Sequence, residues 1–78
     1  MPRFFMNIRN GRGLATDFEG TELADLAEAR REALLDAREI TADRVRSGDL
    51  IEDDRMEIAD EGGNILAMIP FRDAIRLL

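Results

Sequence analysis

The feature that most constrains the fold of this chain is one long segment with helical periodicity, Leu26–Ser47. Apolar residues recur along it at helical spacing and share one narrow stripe, which consists of Leu26, Ala29, Ala33, Ala37 and Ile40. Asp25 and Glu28 have the spacing of a capping box, and Gly48 follows the segment where a left-handed residue would end a helix. The pattern predicts one long helix, and its alanine-rich stripe would let that helix lie close to another layer.

Segments with strand periodicity lie on both sides of the predicted helix. Before it, Arg3–Arg9 alternates apolar and polar residues, and a glycine-containing turn leads to Leu14–Glu19 as the return strand. After it, Arg55–Ala59 alternates again, and a second turn leads to the apolar run Ile65–Phe71. Two hairpins around one helix predict an α+β fold. We expect residues 1–78 to form a single two-layer β-β-α-β-β domain, an antiparallel sheet with one long helix packed on one face.

The chain contains no His, Cys, Lys, Tyr, Trp or Gln. These absences remove the usual general base near neutral pH, the thiolate nucleophile, the Schiff-base amine and the common zinc ligands. A domain this small, without disulfides or zinc, draws only about 3–5 kcal/mol of net stability from its core, so association is a further route to stability. The composition predicts a protein that is not an enzyme, with no cofactor, no metal and no small-molecule ligand.

The net charge of the chain is −6, and all 11 of its positive charges are arginines. An acidic chain is repelled by phosphate backbones, so we expect no direct nucleic-acid binding by the monomer. No apolar run has the length of a membrane span, and no signal-peptide pattern follows Met1. The sequence therefore predicts a cytoplasmic protein without membrane contact.

The charged clusters of the chain have plain structural interpretations. The carboxylates at 17 and 19, 52–54 and 60–61 lack the spacing of a calcium-binding loop and fall in predicted loops, so we expect them to be solvated. The arginines of the helix, among them Arg38 and Arg44, alternate with acidic residues one turn away. This spacing predicts ion pairs along the helix surface.

Several stretches match a known sequence pattern: residues 1–5, 8–11, 17–23, 25–26, 29–33, 57–60 and 69–74, with the motifs M-P-R-F-F, D-F-E-G-T-E-L and I-P-F-R-D-A. On these residues the chain resembles a family of short bacterial proteins that consist of one domain of unknown function. Ala24 stands where members often have proline, and Met6 and Asn7 stand where members often have an aromatic residue or histidine. The resemblance implies a small cytoplasmic protein and no particular activity.

The predicted sheet has more apolar residues than one helix can cover. Ile65–Phe71 is apolar on both of its faces, and Phe5 lies on the polar face of the first strand. We expect a protein interface formed by Phe5, Ile65, Ile69, Phe71 and Ile75. The sequence therefore predicts a small non-enzymatic interaction or regulatory module that self-associates as a homodimer, with another protein as a further partner.

Two other functions are open from the sequence. The order of strands and helix is similar to that of HicB-type antitoxins, which implies a regulator that binds a basic toxin. Removal of Met1 would leave Pro2 as a secondary amine at the start of a strand, a position that resembles the catalytic proline of small tautomerases. Arg3, Arg9 or Arg72 would then hold a carboxylate substrate. The simpler interpretation is that Pro2 begins a strand where no ladder N–H is needed.

Overall fold

The computed structural model describes residues 1–48 and 54–74. Five strands and one long helix make up this part of the chain, and a short 3-10 helix, Phe71–Ala74, follows the last strand. Their bounds are β1 Arg3–Asn10, β2 Gly13–Ala15, β3 Thr21–Glu22, α1 Leu26–Ser47, β4 Arg55–Ala59 and β5 Ile65–Pro70. All strand pairs are antiparallel, in the order β2-β1-β4-β5, and β3 also pairs with β1. The predicted α+β arrangement is confirmed.

The helix α1 begins and ends at the predicted residues. The Asp25 side chain accepts a hydrogen bond from the Glu28 N–H at 2.8 Å, and the Glu28 carboxylate accepts one from the Ala24 N–H at 2.8 Å. At the other end, Gly48 has φ of 77°, and its N–H donates to the carbonyls of the last turn. Backbone groups at both helix ends therefore find hydrogen-bond partners among neighbouring residues, which is why the sequence predicted the ends well.

The core lies between α1 and one face of the sheet. Ala29, Ala33 and Ala37 are completely buried on the helix side. The sheet side of the core consists of Phe4, Met56, Ile58, Ala67 and Ile69, with Phe71 of the 3-10 helix beside them. Since alanine has a single methyl group, α1 approaches the strands closely, and the larger side chains of the core come from the sheet.

The predicted return strand Leu14–Glu19 is wrong in its extent. β2 ends at Ala15, and a separate short strand, β3, pairs with the start of β1. Between them the Asp17 carboxylate accepts a hydrogen bond from the Met6 N–H at 3.2 Å, so a side chain replaces the ladder carbonyl. Because the Met6 N–H is taken by this side chain, backbone pairing with the middle of β1 ends here.

The segment after β5 turns onto the helix side of the sheet. Phe71 was predicted as a strand residue, but it opens the 3-10 helix, whose last carbonyl, at Ala74, accepts a hydrogen bond from Arg38 Nε at 3.0 Å. Arg44 pairs with Asp54 and lies 5.3 Å from the centroid of the Phe71 ring. Asp54 is therefore buried and paired rather than solvated. Instead of pairing along α1, Arg44 contacts the residue before β4 and Arg38 contacts the end of the 3-10 helix. Residues 49–53 of the predicted acidic loop lie outside the described residues.

Candidate protein interface

The face of the sheet that points away from α1 is called here the open face. Because side chains alternate along a strand, the residues between those of the core point to this face. The open face consists of Arg3, Phe5, Asn7, Arg9, Leu14, Glu22, Arg55, Glu57, Ala59, Ile65, Met68 and Pro70, and Leu66 lies beside Ile65 at its edge as the extra residue of a bulge. Within residues 1–48 and 54–74, α1 and the 3-10 helix pack against β4 and β5 from the opposite side.

One edge of the open face is a row of exposed apolar residues on β5. Ile65 is 57% exposed, Met68 51% and Leu66 40%. Leu66 is an extra residue, because the register shifts between Ile58, which pairs with Ala67, and Ala59, which pairs with Ile65. Isolated exposed apolar side chains are common, but three on one edge strand form a patch of the kind found at protein interfaces.

The centre of the open face is a compact charged cluster of Arg9, Glu57 and Arg55. Arg9 Nε donates to Glu57 Oε2 at 2.9 Å, and Arg55 Nε lies 3.5 Å from the same oxygen. The Glu57 side chain is only 6% exposed because the two arginine side chains cover it. Arg55 Nε is buried without a hydrogen bond. Glu57 is therefore held in a fixed position between two cations, and the stems of those arginines add apolar surface to the face.

The other edge of the open face carries a rigid loop over residues 17–20. The Asp17 carboxylate accepts hydrogen bonds from the N–H groups of Met6, Glu19 and Gly20, and the Asp17 N–H donates to Asn7 Oδ1 at 2.8 Å. These bonds fix the loop against β1. Its apex is Phe18, whose side chain is 87% exposed.

Gly20 explains why this loop lies so close to the open face. Its φ is 71°, which favours glycine, and a Cβ atom at this position would lie 2.8 Å from the Phe5 ring and 2.9 Å from the Arg3 side chain. Arg3 also donates to the Glu19 carbonyl at 2.8 Å. Three successive open-face side chains of β1, those of Arg3, Phe5 and Asn7, therefore contact the loop, which places it along the edge of that face.

Hydrogen bonding in this loop gives the protein a testable pH dependence. Burial acts to raise the pKa of Asp17, but the N–H groups of Gly20, Met6 and Glu19 outweigh it and lower the pKa. A lowered pKa adds stability that is present above the ordinary aspartate pKa and is lost as the pH falls through the folded-state value. Asp17→Asn should therefore be about 1–2 kcal/mol less stable than the wild type at pH 6. When the pH falls from 6 to 3, the variant should lose less stability than the wild type does, because it lacks this carboxylate.

Urea unfolding followed by circular dichroism at both pH values measures this effect. Glu19→Gln is the matched control, because Glu19 is an exposed carboxylate in the same loop. Equal acid-induced losses of stability in the wild type and Asp17→Asn would show that the Asp17 carboxylate does not bind the loop.

The structure divides the residues that the sequence placed at an interface. Ile65 is exposed on the open face, and Phe5 is half-buried on it beside Gly20. Ile69 and Phe71 are instead core residues, with exposures of 8% and 0%, because α1 and the 3-10 helix cover their side of the sheet. Ile75 lies outside the described residues.

Four residues of the site were not found from the sequence. Glu57 was assigned only to an alternating strand, and that alternation did indicate that it points away from the core. Met68 and Leu66 lie in a run that is apolar on both faces, so periodicity could not separate them from the core. Phe18 carries no local signal beyond its position between Asp17 and Glu19.

Pro2 and two of its candidate arginine partners make hydrogen bonds or ion pairs in the structure. The Pro2 carbonyl accepts a hydrogen bond from the Leu23 N–H at 3.1 Å, which ties the chain start to the residue after β3. Arg3 pairs with Glu22 at 3.1 Å, and Arg9 pairs with Glu57. A tautomerase site that used Arg3 or Arg9 would have to take the guanidinium group from its carboxylate, whereas Arg72 is an exposed residue of the 3-10 helix.

The arrangement of the described residues also bears on metal binding and on membrane insertion. Across residues 1–48 and 54–74, no three Asp or Glu side chains converge in a way that could hold a metal ion. In the same part of the chain, no helix has the length and hydrophobicity that crossing a membrane requires.

Comparison with known proteins identifies a family without a known activity. Neither a curated protein nor a solved structure matches the chain. A family model described as a domain of unknown function, DUF6894, matches residues 3–72. Since this match takes in most of the chain, the protein belongs to the DUF6894 family of domains of unknown function.

Proposed function

We propose that this protein is a non-enzymatic interaction module that self-associates through its open face. The observation that carries the proposal is the combination, on one face, of exposed apolar residues with a fixed central cluster of one carboxylate and two arginines. Ile65, Leu66 and Met68 lie at one edge and Phe18 at the other. Glu57 between its two arginines occupies the middle. Exposed apolar side chains that share one surface mark a protein interaction site. Here they flank a charged centre, whereas most interfaces have an apolar core and a polar rim.

The exposed apolar area is large enough to favour association. Complete burial of a side chain the size of Ile, Leu or Met contributes about 1.5–3 kcal/mol. Because Ile65, Leu66 and Met68 are about half exposed, each would contribute roughly 1 kcal/mol when covered. The same residues of a second copy double this contribution. The two exposed Phe18 side chains add roughly 2 kcal/mol each, which brings the total to roughly 10 kcal/mol. Against the lower end of the cost of association, about 4 kcal/mol, about 6 kcal/mol remains, which corresponds to a dissociation constant of tens of micromolar.

The distribution of charge favours a second copy as the occupant of this face. Two acidic chains repel each other in general, since each carries a net charge of −6. The open face and its loop are different, because three arginines and four carboxylates nearly balance there: Arg3, Arg9, Arg55, Asp17, Glu19, Glu22 and Glu57. Most of the excess negative charge therefore belongs to the rest of the chain, and two open faces repel each other only weakly.

Sedimentation velocity of the wild type and two matched variants tests the proposal. Met68→Asp and Leu35→Asp each place a carboxylate at a half-exposed apolar position, 51% and 50% exposed respectively. Met68 lies on the open face, whereas Leu35 lies on α1. At tens of micromolar we expect a wild-type dimer, at least about tenfold weaker dimerisation of Met68→Asp, and no change for Leu35→Asp.

Circular dichroism of each variant shows whether it is folded. A wild type that sediments as a monomer at these concentrations would overturn the proposal. Equal weakening by Leu35→Asp and Met68→Asp would also overturn it, because the effect would then follow the added charge rather than the open face.

A further inference from the structure

We infer that the dimer is a sandwich of two open faces related by a twofold axis parallel to the strands. In this arrangement the loop 17–20 of each copy packs on the β5 row of the other. The inference rests on the proposed self-association and adds to it the relative orientation of the two copies. Three observations lead to it: the positions of the two apolar edges, their levels along the strands, and the groups that would face each other.

The two apolar edges lie at opposite sides of the sheet. In the order β2-β1-β4-β5, the loop 17–20 contacts the outer side of β1, between β2 and β3. The row Ile65, Leu66 and Met68 is on β5, at the other end of that order. A twofold axis parallel to the strands and midway between two stacked sheets exchanges these edges, so each copy places its loop over the other copy's β5.

The same axis keeps each residue at its level along the strands, and the levels match. Asp17 is hydrogen-bonded to the backbone of Met6 and the side chain of Asn7. Asn7 is opposite Glu57, which is opposite Met68. Phe18, the next residue after Asp17, is therefore carried at the level of Met68, and the axis brings it to Met68 of the second copy. A methionine against an aromatic ring is a favourable contact.

A second pair of apolar residues matches in the same way. Leu14, 43% exposed on β2, is opposite Arg9. Arg9 is opposite Arg55, which is opposite Pro70. Leu14 and Pro70 therefore share one level at opposite edges, and the axis brings Leu14 of each copy to Pro70 of the other. The surface is self-complementary, which a twofold interface requires.

The polar groups distinguish this axis from the alternative that crosses the strands. An axis across the strands would place β5 of one copy on β5 of the other and the loop 17–20 of one copy on the same loop of the other. The Asp17 carboxylates of the two copies would then approach each other. The proposed axis places Asp17 over the apolar β5 row instead. It also brings the charged cluster of each copy to that of the other, with Asn7 of one copy over Glu57 of the second and Arg9 over Arg55. The arginines that face each other in this arrangement are each already paired with Glu57 of their own copy.

Cysteine cross-linking measures the orientation directly, because the chain has no cysteine of its own. Phe18→Cys and Met68→Cys are made separately and together, then oxidised and separated on a non-reducing gel. Within one copy the two positions are three strand spacings apart, about 14 Å, which is beyond the reach of a disulfide. We expect covalent dimers from the double variant and from a mixture of the two single variants, and little cross-linking of either single variant alone. Leu35→Cys mixed with Met68→Cys is the control and should not cross-link.

The outcomes of these experiments distinguish a wrong orientation of the two copies from an absence of self-association. Efficient cross-linking of Met68→Cys alone would place β5 against β5 and overturn the inferred axis. Single variants that sediment as dimers but give no mixed disulfide, even with a short bismaleimide linker, would overturn the axis and leave self-association intact. A wild type that sediments as a monomer would overturn the proposed function and this inference together.

Discussion

Phe71→Ala is expected to leave a large fraction of the protein unfolded at room temperature. Phe71 is completely buried and is among the largest side chains of the core. Truncation of a buried phenylalanine to alanine costs about 3–5 kcal/mol, since it removes buried apolar surface and leaves a cavity. A domain of this size has about that much net stability in total. The Arg44 guanidinium over the Phe71 ring would also lose its contact.

Urea unfolding followed by circular dichroism measures this loss. Phe18→Ala is the matched control, because it makes the same substitution at a side chain that is 87% exposed. At concentrations where the protein is monomeric, Phe18→Ala should change the free energy of unfolding by less than about 0.5 kcal/mol. A loss below about 1 kcal/mol for Phe71→Ala would mean that Phe71 does not support the core.

The parts of this fold that could be predicted from local sequence are those whose hydrogen bonds join residues close to each other in the chain. Asp25 and Glu28 satisfy the start of α1, and Gly48 satisfies its end, so both ends could be predicted from neighbouring residues. The turn after β4 is similar, because Asp60 accepts hydrogen bonds from the N–H groups of Gly62 and Asn64. Contacts of this kind are encoded within five residues of the chain.

The parts that could not be predicted depend on residues far apart in the sequence. Whether Leu14–Glu19 continues as a strand is decided by Asp17, whose carboxylate replaces the backbone partner of Met6. A sequence pattern gives the alternation of a strand but not the competition between a side chain and a ladder carbonyl. Asp54 was likewise expected in a solvated loop, and only the return of the chain beside α1 brings it to Arg44.

The candidate interface was predicted in composition but only partly in position. An apolar excess on the last strand could be seen, and Ile65, which was predicted at an interface, is exposed. Because both faces of Ile65–Phe71 are apolar, the pattern could not tell which one α1 would cover. The helix covers Ile69, and Met68 is left exposed. Where two faces are equally apolar, the choice between core and interface is made by tertiary packing alone.

The small contact residues of α1 connect the fold to the open face. Three alanines at the centre of the helix stripe leave little space between helix and sheet, so the core is thin and draws its volume from a few strand residues. A thin core adds little stability, and burial of the other sheet face by a second copy would add more. The close approach of α1 is therefore a central property of this molecule, and it can be tested by enlarging one alanine.

Ala33→Leu is expected to destabilise the protein by about 1–3 kcal/mol, although leucine is a good helix former. Ala33 is 0% exposed between α1 and the sheet, so three added carbon atoms would push the helix away from Ile58 and its neighbours. Ala42→Leu is the control, because Ala42 lies on the exposed side of the same helix and should change stability by less than about 0.5 kcal/mol. Urea unfolding compares the two variants under identical conditions. Equal stability of Ala33→Leu and the wild type would mean that α1 does not lie close to the sheet, because the added side chain could then be accommodated without displacement.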